Sequence, residues 1–97
     1  MAKKKLHIEP KDVHVTPFSA GYAGILYSCQ VERINTQRLW NKCLSVPEML
    51  EEQHSIFVDI DDFDELGFLV LTVHPRGQEF TDYELATWVA DAINAVL

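Results

Sequence analysis

The stretch His54-Ser-Ile-Phe-Val-Asp-Ile-Asp-Asp-Phe-Asp-Glu-Leu-Gly-Phe-Leu-Val-Leu-Thr-Val-His-Pro75 decides how this chain folds. From His54 to Asp61 the residues alternate. Ile56, Val58 and Ile60 fall on one side, and Phe57, Asp59 and Asp61 on the other. Period-two alternation is the pattern of a half-buried strand. Asp62, Phe63, Asp64 and Glu65 then read as a strongly acidic turn, and Phe68 to Val73 is a near-continuous apolar run. A strand apolar on both faces needs cover on both sides, or an interior place in a sheet. The stretch is expected to form two paired strands, with the other elements arranged around them.

Upstream, Leu6 to Val15 reads as an edge strand or two short pieces, because Pro10 removes a ladder donor. Thr16 to Gly24 reads as a loop punctuated by Pro17, Gly21 and Gly24. Ile25 to Ile34 alternates, with Ile25, Tyr27, Cys29 and Val31 inward and Ser28, Gln30 and Glu32 outward. Asn35 or Thr36 is placed to cap a helix carrying Leu39, Trp40, Cys43 and Leu44. Ser45 and Glu48 have capping-box spacing around Pro47, so either a second helix starts there or one helix kinks.

Downstream, Thr81 and Glu84 form another capping box. A broad stripe of Tyr83, Leu85, Trp88, Val89, Ala92, Ile93, Val96 and Leu97 follows, with Thr87, Asp91 and Asn94 opposite. That stripe predicts a long terminal helix lying on the sheet. The order β-β-α-β-β-α implies an α+β domain with one four-stranded, mainly antiparallel sheet and the C-terminal helix packed on one face. The 97 residues fit a single domain, since domains run to roughly 50–250 residues. Residues 1–5, with Lys3, Lys4 and Lys5, read as a flexible basic tail. If both helices share one face, the other face of strand 68–73 is left open or is covered by a second copy in a homodimer.

Charge is distributed unevenly. The net charge is −7. Residues 1–42 carry seven lysines and arginines against three acids, a net of +4. Residues 43–97 carry Arg76 alone against twelve acids, a net of −11. A nucleic-acid binder shows a basic stripe, and none is present, so direct nucleic-acid binding is not expected. No apolar run of about 18 residues is present, which argues against a membrane-spanning helix. The basic start is not followed by an apolar signal core, so a cytoplasmic protein is expected. Cys29 and Cys43 fit neither a disulfide framework nor a zinc spacing and read as two buried thiols.

The motifs of catalysis are missing from the sequence. There is no nucleophile elbow or phosphate loop. Cys29 sits mid-strand on the inward side, a poor place for a reactive thiolate. The four histidines are scattered, without ligand spacing. The acidic run does not fit a calcium loop in either register: from Asp59 the fifth and sixth positions are Phe63 and Asp64, and from Asp62 the fifth is Leu66. No enzymatic activity, metal or cofactor is expected.

What stands out is collective. Glu48, Glu51, Glu52, Asp59, Asp61, Asp62, Asp64 and Glu65 place eight acids in eighteen residues with no lysine or arginine among them. Gathered on one surface they would steer a basic protein onto the chain. The expected binding residues are Asp59, Asp61, Asp62, Asp64 and Glu65 for charge, with Phe57 or Phe63 as apolar anchor. Trp40 and Trp88 read as core. An inhibitor of the immunity or anti-defence type, masking a nuclease-like target, is the concrete form of this reading. The alternative is a small-molecule-binding domain, possible as a dimer, with a pocket between sheet and C-terminal helix near Tyr27, His74 and Tyr83.

Overall fold

Strand β4 (Leu69–His74) lies inside the sheet, as its two-sided apolarity requires. It pairs antiparallel with β2 (Ile25–Val31) on one side and β3 (Phe57–Ile60) on the other. Strand β1 (His14–Ser19) adds to β2, so the order is β1-β2-β4-β3 and every pairing is antiparallel. The computed structural model describes residues 6–97, and the expected basic tail at 1–5 lies outside the described residues. Helices α1 (Gln37–Lys42) and α2 (Val46–His54) lie between β2 and β3. The short α3 (Phe63–Leu66) joins β3 to β4, and α4 (Asp82–Val96) follows β4. This is an α+β fold.

Register divides the sheet into two faces. Val15, Cys29, Leu71 and Ile60 form one cross-strand row, and Pro17, Tyr27, Val73 and Val58 a second. This side carries the core: Cys29, Val31, Leu69, Leu71 and Val73 are fully buried together with Leu50 of α2 and Leu85, Val89 and Ile93 of α4. Burying a Val, Leu or Ile side chain stabilises by about 1.5–3 kcal/mol. Truncating Ile93 to Ala would therefore cost about 3 kcal/mol. The opposite face runs in rows of Phe18, Leu26, His74 and Phe57, then Thr16, Ser28, Thr72 and Asp59, then His14, Gln30 and Val70. Leu26 and Val70 on it are buried, Phe18 and Phe57 are exposed, and its middle row is hydroxyl and carboxylate.

Helix α4 starts as its sequence dictates. Thr81 Oγ1 accepts from Glu84 N–H at 3.0 Å and Glu84 Oε1 accepts from Thr81 N–H at 2.9 Å. Thr36 caps α1 by accepting from Leu39 N–H. No extended residue separates α1 from α2: a 3-10 turn, Cys43–Ser45, links them, and Pro47 stands in the first turn of α2. The capping box expected at Ser45 does not form, because Ser45 is itself helical (φ −88, ψ −7).

Other expectations are corrected. Leu6–Val15 is not a strand throughout, since Pro10–Asp12 forms a 3-10 turn and β1 begins at His14. The loop expected from Thr16 is strand as far as Ser19. Pro17 is tolerated because β1 is an edge. His54 ends α2 rather than starting β3, and Ser55 at φ +56 reverses the chain between them. The acidic turn at 62–65 is one helical turn closed by Gly67 at φ +76. Leu44 and Tyr83 leave their expected stripes and are exposed, and Trp40 and Trp88 are only partly buried.

Both free edges of the sheet are obstructed. Asp61 N–H donates to Val70 across the β3–β4 pair, so by alternation Val58 N–H points away from β4. Glu51 of α2 accepts that donor at 3.0 Å. On the other edge, Pro17 leaves β1 without a donor mid-strand.

Candidate functional site

The expected binding residues are divided by the fold. Phe57 and Asp59 are exposed on the face of β3 opposite the core, and Asp61 follows at its end. Asp62, Phe63, Asp64 and Glu65 form α3 and its cap. At about 3.3 Å per strand residue, Phe57 and Phe63 are separated by on the order of 10 Å or more. The two aromatics therefore belong to different patches.

Phe63 sits at a recess of about 260 Å³ lined by Gln37, Trp40, Asp62, Phe63 and Asp64. Its ring meets the Trp40 indole edge-on, centroids 6.4 Å apart. Trp40 thus belongs to the surface of the acidic region as well as to the core, which helical periodicity does not reveal. Its Nε1–H is buried without an acceptor within the described residues.

The other acids differ in how far the fold engages them. Asp59 Oδ2 lies 3.5 Å from His74 Nε2, and Asp61 Oδ1 is 3.5 Å from the Thr72 hydroxyl. Glu51 is committed to the β3 edge. Asp62, Asp64 and Glu65, with Glu48 and Glu52, are exposed, and none makes an ion pair among the described residues. In the basic half two of the three acids are matched instead, and Glu32 makes no ion pair among the described residues. Lys11 meets Glu9 at 3.3 Å and Arg33 meets Asp12 at 3.1 Å. The Glu9 N–H and the Arg33 guanidinium hold the Asp12 carboxyl below its ordinary range.

Phe57 lines a larger recess, of about 530 Å³, with Ile25, His74, Pro75 and Arg76. The Arg76 guanidinium carbon is 4.8 Å from the Phe57 ring centroid. The pocket expected near Tyr27, His74 and Tyr83 is not assembled from those residues. Tyr27 packs on Phe80 at 5.3 Å, His74 lies on the sheet face opposite the core, and of the three Tyr83 alone lines a recess of about 300 Å³ between β1 and α4.

The thiols are poor nucleophiles. Burial pushes Cys29 up to about 12, with Asp82 adding to the shift, and pushes Cys43 up to about 11. No group of three metal-ligating side chains gathers among the described residues. No helix among them is long and apolar enough to cross a membrane. Comparison with protein-family models, with curated proteins and with solved structures finds no match to this chain.

Proposed function

We propose that this chain is a small, non-enzymatic protein-binding module of the cytoplasm that engages a basic protein through the acids of 59–65. An inhibitor of the immunity or anti-defence type, covering a nuclease-like surface with carboxylates where phosphate would lie, fits this chemistry. The supporting observation is the unequal matching of charge. Two of the three acids of the basic half, Glu9 and Asp12, have cationic partners, whereas Asp62, Asp64 and Glu65 have none among the described residues. Exposed like charges raise the energy of the free protein, and a cationic partner relieves that repulsion. Phe63, with Trp40 beside it, supplies the apolar anchor.

The test is affinity capture from the native host's lysate at low and moderate salt, run beside a variant carrying Asp62→Lys, Asp64→Lys and Glu65→Lys. A basic protein held at low salt, released as salt rises and not retained by the variant supports the reading. Equal retention by both proteins overturns it. The alternative, small-molecule binding between sheet and C-terminal helix, rests on the recess at Tyr83. A ligand-dependent rise in thermal midpoint that Tyr83→Ala removes would favour it.

A further inference from the structure

The recess of about 530 Å³ beside Phe57 has a chemistry opposite to that of the acidic surface. Its walls are apolar: Phe57 and Ile25 are 53% and 51% exposed, so both hold carbon surface in water. Pro75 adds to the apolar lining. At the rim stands Arg76, the sole lysine or arginine of residues 43–97. Among the described residues it makes neither an ion pair nor a side-chain hydrogen bond. Its guanidinium lies over Phe57 instead, a contact that uses the face of the group and leaves its N–H donors available.

The backbone at Arg76 strengthens the case. Its φ of +54 is left-handed, a conformation that costs a residue with a side chain and that glycine adopts freely. The fold sets a strained arginine, rather than a glycine, at this rim.

We propose that this recess binds a small organic monocarboxylate with an apolar body. The carboxylate would take the paired donors of Arg76 and the carbon body would cover Phe57 and Ile25. The charge is limited to one for two reasons. His74, the other cationic candidate in the lining, has its Nε2 turned to Asp59 at 3.5 Å, which leaves Arg76 to meet the ligand. A net charge of −7 repels anions at range, so each further negative charge weakens binding. The recess size falls within the roughly 300–1,000 Å³ of small-molecule sites. This inference is independent of the acidic surface.

The experiment titrates butanoate, pentanoate, hexanoate and the neutral hexanamide, at constant ionic strength, into the isotope-labelled 97-residue chain. Amide and arginine side-chain resonances are followed by NMR. Saturable shifts confined to 23–25, 57 and 74–77 are expected, tightening by about two- to fourfold per added methylene. Hexanamide and the Arg76→Gln variant are expected to bind at least about tenfold more weakly. Arg76→Gly relieves the backbone strain, so its thermal midpoint should not fall while hexanoate binding is lost. The proposal is overturned if acid and amide bind alike, if Arg76→Gln binds hexanoate as the parent does, or if shifts are unsaturable or map elsewhere.

Discussion

The side-chain amide of Asn94 grips the backbone of Ile8 from both sides, its Oδ1 accepting from Ile8 N–H at 2.8 Å and its Nδ2 donating to Ile8 C=O at 2.7 Å. The two residues are 86 positions apart, and the clamp fixes the start of the described chain to the last turns of α4. Ile8 is itself fully buried in the core. Asn94→Ala would strand both backbone groups and cost about 2–3 kcal/mol. Chemical denaturation should show that loss. Asn94→Asp, which keeps the acceptor but cannot donate to the carbonyl, should be destabilised as well.

Thiol chemistry gives a second prediction. With Cys29 at about 12 and Cys43 at about 11, almost no thiolate exists at neutral pH. Ellman's reagent should label neither cysteine in the native protein over minutes and both at once in denaturant. Prompt native labelling would show that one of them is accessible.

Acidification acts through His54, which stacks on Trp88 with ring centroids 4.0 Å apart. Desolvation lowers its pKa from the ordinary 6.5, so below 6.5 the unfolded chain binds more protons than the folded one. Its contribution is therefore present above 6.5 and is lost as the pH falls through the lowered folded value. The urea midpoint should drop between about pH 7 and pH 5, before carboxylates titrate. His54→Phe, which keeps a ring on Trp88, should flatten that dependence.

The edges of the sheet supply a fourth prediction. Removing the carboxylate of Glu51 by Glu51→Ala leaves Val58 N–H uncapped and should cost about 1 kcal/mol. Combined with Pro17→Thr, which restores a donor to β1, it should make the protein self-associate by strand pairing. Size-exclusion chromatography across concentration reads this directly. A double variant that elutes as the parent does would show that the edges are guarded by something else.

Local pattern was sufficient for β4 and α4, because Phe68–Val73 is interrupted by Thr72 alone and Thr81–Glu84 announces a helix start that a long apolar stripe then confirms. It was insufficient where one residue had to outweigh its neighbours. Asp62–Glu65 looks like a turn because four residues are too few to show helical periodicity. Pro17 looks like a loop residue until the edge position of β1 is known. Asn94 falls on the polar side of its helix, and its partner at Ile8 cannot be inferred from neighbours. The acids of 59–65 were visible as a cluster, but the meeting of Trp40 with Phe63, and of Arg76 with Phe57, is made by tertiary structure. A lone arginine before Gly77 in an otherwise acidic half was the available hint of the second recess.

Pairing of β2 with β4 joins the first 42 residues to the remainder, so the basic and acidic parts of the chain share one core and melt together. Whatever occupies either surface therefore stabilises every residue of that core, including those at the far end of α4, by an amount that grows with its free concentration over Kd, about 2.7 kcal/mol at a hundredfold excess. That increment is a sizeable fraction of a margin against unfolding of roughly 5–15 kcal/mol. Cellular lifetime would then follow occupancy: the free form would be exposed to proteolysis and the bound form spared, so the protein's abundance would report the supply of what it binds.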